Sequence, residues 1–354
     1  MPPPPSDMRK GLLVIIIREG SQIYSNLRSK HIDWRQMIHE FSVIGGAGFI
    51  GSHFVESLLQ IGKSVTVVDN FCSGSIAHLG KSASNPNLKI IECHVENTSD
   101  LIKAIDKSRV VIHLASNPDI AKAAIEPRID FTQGTALTES VVEASRIVGV
   151  EKILYASGSG VYGDAGTTLL NEKSPLNPIS TYGASKLAGE ALLASYAYMF
   201  GINAVAFRFA NVVGPRQTHG VGFDFLRRLK VTPYELTILG NGLQDKSYVH
   251  VTDVVNAVLS FSDEIGTAFD IYNISTRDSL TVNQIADIAL EVSGLNRSNI
   301  EIKYTGGDRG WKADVPVVKL DPSKIEATGW HPQFTSQSAM YDAMNAMKLE
   351  ISNE

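Results

Sequence analysis

Two hydrophobic rhythms alternate along the chain from about residue 40. Short, largely apolar runs occur at 41–44, 65–68, 88–91, 110–114, 153–156 and 205–209. Runs of this length without polar alternation predict strands buried on both faces. Between them lie longer stretches with apolar residues three and four apart, such as Phe54, Val55, Leu58, Leu59 and Ile61 within 49–61, and the segments 134–149 and 181–200. That spacing predicts amphipathic helices. Strand and helix in strict succession predict an α/β fold built on a doubly wound parallel sheet. After residue 211 the pattern loosens at Gly214-Pro215, Gly240-Asn241-Gly242 and Gly306-Gly307. Helices near 252–261 and 281–293 and strand-like runs at 269–274 and 300–304 predict a smaller mixed α/β lobe. We therefore expect a first domain over 37–210 and, over 211–354, a lobe interleaved with the end of the sheet.

Residues 1–36 do not fit this rhythm. Four prolines at 2–5 predict an extended start. The apolar run 12–17 is too short to cross a bilayer and ends at Arg18-Glu19 without a small-residue cleavage site. The segment reads as a poorly ordered extension. A second reading is a misassigned start, since Met37 directly precedes the first predicted strand.

Composition narrows the function classes. Of 354 residues 44% are hydrophobic and 19% charged, which supports a large core. A net charge of -5 leaves no basic surplus for a phosphate backbone, so no nucleic-acid partner is expected. Cys72 and Cys93 are the only cysteines, which excludes a disulfide framework and fits a reducing, cytoplasmic setting. CxxC and HExxH are both missing, so no metal site is expected. No membrane partner is expected either.

Two motifs carry chemistry. Gly45-Gly46-Ala47-Gly48-Phe49-Ile50-Gly51 sits between a predicted strand and a predicted helix. Glycines at 45, 48 and 51 allow a tight turn, close approach of the backbone to a pyrophosphate, and close helix packing. Asp69 ends the next strand, where a carboxylate accepts from ribose hydroxyls and repels a 2′-phosphate, so NAD is favoured over NADP. The sheet is accordingly expected to be of the Rossmann type. A plain structural glycine turn is the alternative. The second motif is Tyr182-Gly183-Ala184-Ser185-Lys186. Of eleven tyrosines this one alone has a lysine four residues on, which places both side chains on one helix face. A neighbouring ammonium stabilises phenolate, so Tyr182 is expected to have a lowered pKa and to act as general acid/base, with Lys186 beside it.

GGAGFIG, VVDN, HLAS at 113–116, VYG at 161–163, YGASK and RFANVVGPR at 208–216, in that order, resemble the extended short-chain dehydrogenase/reductase family in its NAD-dependent epimerase/dehydratase branch. HGVGFDFLRRL, GNGLQDKSYVHVTDV and GGDRGWKADVP extend the resemblance to about 40–335. The resemblance implies bound NAD, a UDP-sugar substrate and a homodimer. The implied activity is a reversible oxidation and reduction at C4 that interconverts UDP-glucose and UDP-galactose. It places Gly45, Gly48, Phe49, Ile50 and Gly51 at the pyrophosphate, and Asp69, Asn70, Ser73 and Gly74 toward the adenosine ribose. Val95, Leu114, Ala115, Ser116, Ser157 and Phe209 flank the cofactor, and Lys186 also holds the nicotinamide ribose. Ser159, Asn211, Lys246 and Arg309 fall to the substrate, the last two as charge partners of its diphosphate. A solvated surface charge is the alternative for both.

Three positions depart from the family pattern. Cys93-His94 stands where an adenine-binding aspartate is usual, which leaves His94 to contact adenine or to be an ordinary surface histidine. Phe131 stands where an asparagine is usual. Gly158 stands where a catalytic Ser or Thr is usual, three residues before Val161. Its missing hydroxyl is expected to slow the chemical step, unless Ser157, Ser159 or a water supplies the donor. Ser159 and Gly160 fill the positions at which the family's dehydratases and decarboxylases carry carboxylates, so elimination and decarboxylation are disfavoured. Other UDP-sugar epimerisations, of N-acetylhexosamines or uronates, and a nucleotide-binding relative with little catalysis remain as alternatives.

Overall fold

The computed structural model describes residues 40–263, 268–311 and 314–352. The expectations for the N-terminal extension and for Met37 lie outside the described residues.

Seven strands form one parallel sheet: β1 (Phe41–Ile44), β2 (Val65–Asp69), β3 (Leu88–Glu92), β4 (Val110–His113), β5 (Lys152–Gly158), β6 (Asn203–Phe209) and β7 (Phe269–Ile274). Their order is β7-β6-β5-β4-β1-β2-β3, so the direction of winding reverses between β1 and β4. A crevice opens at such a switch point, beyond the carboxyl ends of the strands. This is the Rossmann-type architecture expected from the sequence.

Burial on both faces explains the unbroken apolar runs. One face carries α1 (Phe49–Gln60), whose Phe54, Val55 and Leu58 are fully buried. The other carries α2 (Thr98–Ala104), α3 (Leu137–Val148) and α4 (Thr181–Phe200). Leu137, Val141, Val142 and Leu193 are buried in this second core, while Met199 is exposed.

A third core belongs to the smaller lobe. It joins α5 (Val221–Val231), α7 (Val282–Ser293) and α8 (Ser336–Ser352), while α6 (Val251–Leu259) packs against α1. The lobe and the sheet exchange segments in both directions. β7 comes from beyond residue 211, and Leu169–Leu170 pairs with Lys319–Leu320 in a four-stranded lobe sheet. Among the described residues no helix is long and apolar enough to cross a membrane.

Candidate active site

A cleft of about 710 Å³ runs along the carboxyl ends of the strands and under the smaller lobe. At one end is the glycine turn. Gly45 has φ +80°, and a Cβ there would lie 2.9 Å from the Ala115 amide nitrogen. A Cβ on Gly51 would fall 2.1 Å from the Gly45 carbonyl oxygen, so α1 rests directly on the turn. Gly48 caps α1 without any side-chain acceptor, and Gly48, Phe49 and Ile50 line the cleft. The first N–H groups of α1 are therefore offered to an anion.

Asp69, at the end of β2, is 7% exposed. Its Oδ2 accepts from the Ala47 N–H and its Oδ1 from the Phe71 N–H, both at 2.9 Å. Burial pushes its carboxyl up, against those N–H groups, which pull it down. The carboxylate thus braces the glycine turn and still lines the cleft. A cradle that any Cβ would fill, an uncapped helix N-terminus and a carboxylate one strand away fit a dinucleotide with free ribose hydroxyls.

Asn70, Ser73 and Val95 line this end as expected. Two expected residues do not. Gly74 lies beneath the turn, where a Cβ would meet the Ala47 carbonyl carbon at 2.9 Å, so its role is packing. His94 is exposed and stands off the cleft wall, because the loop after β3 turns Val95 inward and His94 out.

The opposite end of the cofactor groove holds the candidate chemistry. Leu114, Ala115 and Ser116 follow β4, with both the Leu114 and the Ala115 N–H donated to the Ile44 carbonyl. Tyr182 sits in the first turn of α4, which Ser180 caps by accepting from the Gly183 N–H at 3.0 Å. The helix lies against the turn that follows β5 through glycine: a Cβ on Gly183 would fall 2.4 Å from the Gly160 carbonyl oxygen. Lys186, 3% exposed, donates to the Ala156 carbonyl at 2.8 Å, and its Nζ lies 5.5 Å from the Tyr182 ring centroid.

The electrostatics correct one expectation. Burial pushes the Tyr182 phenol up to about 12, and Asp130 adds to the rise. Burial pulls Lys186 down to about 8, against Asp130 and Glu190, which raise it. Desolvation is the largest influence on both groups, so the protein alone does not lower the phenol.

Three residues at and just past the end of β5 have three fates. The Ser157 hydroxyl donates to Glu190 at 2.5 Å and is buried, although its residue borders the cleft. Glu190 also takes both arms of Arg208, at 2.9 and 2.7 Å. Ser157 is thereby committed to a buried network rather than to a ligand. Gly158 is extended, at φ -162° and ψ 166°, and a Cβ there would meet nothing within 4 Å. The glycine is not demanded by backbone conformation or by space. Ser159 opens a short 3₁₀ turn and lines the cleft, as does Phe209.

On the lobe side, Asn211 and Lys246 line the cleft. Lys246 pairs with Asp314 at 2.6 Å, so its charge is shared before any diphosphate arrives. Arg309 does not reach the wall: it pairs with Asp164 and donates to the Asp314 carbonyl. Its position is therefore that of a brace behind Lys246–Asp314.

Several residues at or behind the wall escape sequence reasoning. Gln217 and Gln244 are buried at the cleft, and each leaves its amide oxygen without a hydrogen-bond partner. Gln133 lines the cleft because Phe131–Ala136 is π-helical, which turns Phe131 outward to 55% exposure. Asp130, 1% exposed, accepts from Asn117 at 2.8 Å and Thr181 at 2.7 Å. Gln244 lies within GNGLQDKSYVHVTDV, but no period or spacing marks any of these for the site; the wider π turn brings Gln133 here, and Thr181 of α4 meets Asp130.

The family model for the NAD-dependent epimerase/dehydratase family matches residues 41–275. The chain belongs to this family. Its cofactor is NAD. A putative UDP-glucose 4-epimerase of Methanocaldococcus jannaschii is 30% identical over 313 residues, covering 86% of this chain and 97% of the relative. A crystal structure of a UDP-galactose 4-epimerase superposes with a TM-score of 0.78 at 37% identity, covering 88% of this chain and 99% of that one. The Thermus thermophilus UDP-glucose 4-epimerase in complex with NAD gives a TM-score of 0.78 at 29% identity, over 87% and 98%.

Proposed function

We propose that this family member is a nucleotide-sugar 4-epimerase whose substrates are UDP-glucose and UDP-galactose. One observation carries the reading. The Tyr182–Lys186 pair is intact at the cofactor groove, while the wall beside it, Gly158-Ser159-Gly160, bears no carboxylate. The family holds epimerases and dehydratases, and elimination of water needs an acid and a base beyond the proton carrier at O4. The buried carboxylate of Asp130 does not offer itself, since Asn117 and Thr181 occupy its oxygens.

Tyr182 takes the proton of the sugar 4-hydroxyl and returns it. Lys186, fixed by its bond to the Ala156 carbonyl, holds positive charge near the phenolate. NAD, when bound, supplies reversible hydride acceptance at C4. The glycine turn and the N-terminus of α1 would hold its pyrophosphate, and Asp69 its adenosine ribose. Asn211 and Lys246 would meet the substrate diphosphate, Lys246 as a point charge without the bidentate fork of arginine.

The test is an incubation of purified protein with UDP-glucose, UDP-galactose, UDP-N-acetylglucosamine, UDP-glucuronate and dTDP-glucose, followed by proton NMR of the anomeric signals. Interconversion of UDP-glucose and UDP-galactose is expected. A 4-keto-6-deoxy product would make the protein a dehydratase. Faster epimerisation of one of the other UDP-sugars would reassign the substrate. No conversion by NAD-loaded protein would make it a binding protein.

A further inference from the structure

We propose that Ser116 is the hydroxyl donor to the Tyr182 oxygen in this chain, taking the place of the side chain that Gly158 lacks. The inference rests on Tyr182 as the acid/base. Register brings the two positions together. β4 and β5 pair in parallel, Val110 with Lys152 through His113 with Tyr155. Gly158 ends β5 and Ser116 lies in the loop that follows β4, each three residues past the last pair, and both line the cleft beside Tyr182. At Gly158 the wall is open, with no atom within 4 Å of an added Cβ. Ser157, next to it, has given its hydroxyl to Glu190. The Ser116 side chain stands beside the Tyr182 phenol in the cleft wall.

The chemistry follows from direction. A hydroxyl that donates to a phenolate stabilises the deprotonated form, whereas burial and the Asp130 carboxylate oppose it. Ser116 is the neighbour that pulls the Tyr182 phenol down against those two influences. A donor to the oxygen that moves the proton acts catalytically rather than by packing. It also resolves the departure at Gly158: the donor comes from the adjacent strand end instead of from β5.

Two readouts test this. The first needs no substrate. Tyrosinate absorbance near 295 nm is titrated in NAD-loaded protein, and the Tyr182 contribution is isolated by subtracting Tyr182→Phe. Ser116→Ala should raise the Tyr182 midpoint by about one pH unit, the equivalent of one hydrogen bond to a charged group. Ser116→Thr, which keeps the hydroxyl, should hold it near wild type. Should Ser116→Ala fail to fold, Ser116→Cys keeps the volume, weakens the donor and reads the same rise. The second readout is turnover of UDP-glucose. Ser116→Ala should lose about tenfold. Gly158→Ser should restore most of that loss in the Ser116→Ala background. An unmoved midpoint in Ser116→Ala overturns the proposal, as does a tenfold acceleration by Gly158→Ser alone. If UDP-glucose is not a substrate, the first readout still decides the role of Ser116, so its failure and that of the proposed function are distinguishable.

Discussion

Lys186 carries the clearest residue-scale consequence, because it is an ammonium with 3% exposure. An unfolded lysine keeps its proton to 10.5, and the folded one to about 8. Between these values the unfolded chain binds more protons, so stability rises with pH from about 8 toward 10.5. Across the whole window the gain is about 3 kcal/mol by the usual conversion. Lys186→Met removes the group and with it this rise. In thermal melts without added cofactor, the Tm of wild type minus that of the variant should therefore grow between pH 8 and 10; a flat difference would show that Lys186 is not held in its unfavourable charged form. Tyr182→Phe addresses the chemistry itself. The change removes one oxygen and no packing, so NAD should remain bound while turnover falls by ~10²–10⁴-fold. Cofactor content after denaturation and the epimerisation rate measure the two halves, and a near-native rate would remove Tyr182 from the mechanism. Both residues were legible in the sequence because a four-residue spacing on a helix is a local signal. Ser116 and Asp130 were not legible in these roles. Each acts through a neighbour distant in sequence, and no one-dimensional period reports such a meeting.

At the scale of elements, the strands and helices were legible for the same local reason. The runs at 41–44, 65–68 and 110–114 became central strands because both faces of the sheet are covered. The π-helical turn at Phe131–Ala136 escaped, since no local period separates a π turn from an α turn, and Gly134 is set so close to Ser185 that a Cβ would lie 2.6 Å from the Ser185 Oγ. What joins the elements behind the site is a buried polar network. Ser157 of β5, Glu190 of α4, Arg208 of β6 and Asn273 of β7 are linked through the Tyr162 hydroxyl, which receives the Arg208 Nη1 at 2.9 Å and donates to Asn273 at 2.7 Å. Arg208 and Glu190 are 1% and 3% exposed. Removing one partner of a buried pair leaves an uncompensated charge, so Arg208→Met should destabilise by roughly 3–5 kcal/mol. Urea denaturation reads this directly. Arg208→Met combined with Glu190→Met should recover part of the loss, and a single variant as stable as wild type would mean that the pair does not hold these four elements together.

For the whole molecule, we propose a homodimer built on α3 and α4. These helices pack side by side on one face of the sheet, and their inner residues are spent there: Leu137, Val141, Val142 and Leu193 are buried in the chain's own core. Apolar surface open to a partner is therefore not found at those four positions. It lies instead at the far ends of the two helices, where Tyr198 is 91% exposed, Met199 68%, Ile147 49% and Phe200 47%. Scattered exposed apolar residues need no explanation, but two aromatic rings, a methionine and an isoleucine at neighbouring helix ends form a patch. Arg146, over the Phe200 ring at 5.2 Å, gives the patch a polar rim. An isologous contact would bring the same four residues of a second copy onto these, antiparallel, and join two helices from each chain. Light scattering at micromolar concentration should then give twice the mass of one chain, and Tyr198→Glu with Met199→Glu should return it to one. The doubly substituted chain should keep its fold, because neither side chain contributes to the buried core. A wild-type mass of one chain would show that this patch is solvated and that each cleft works alone.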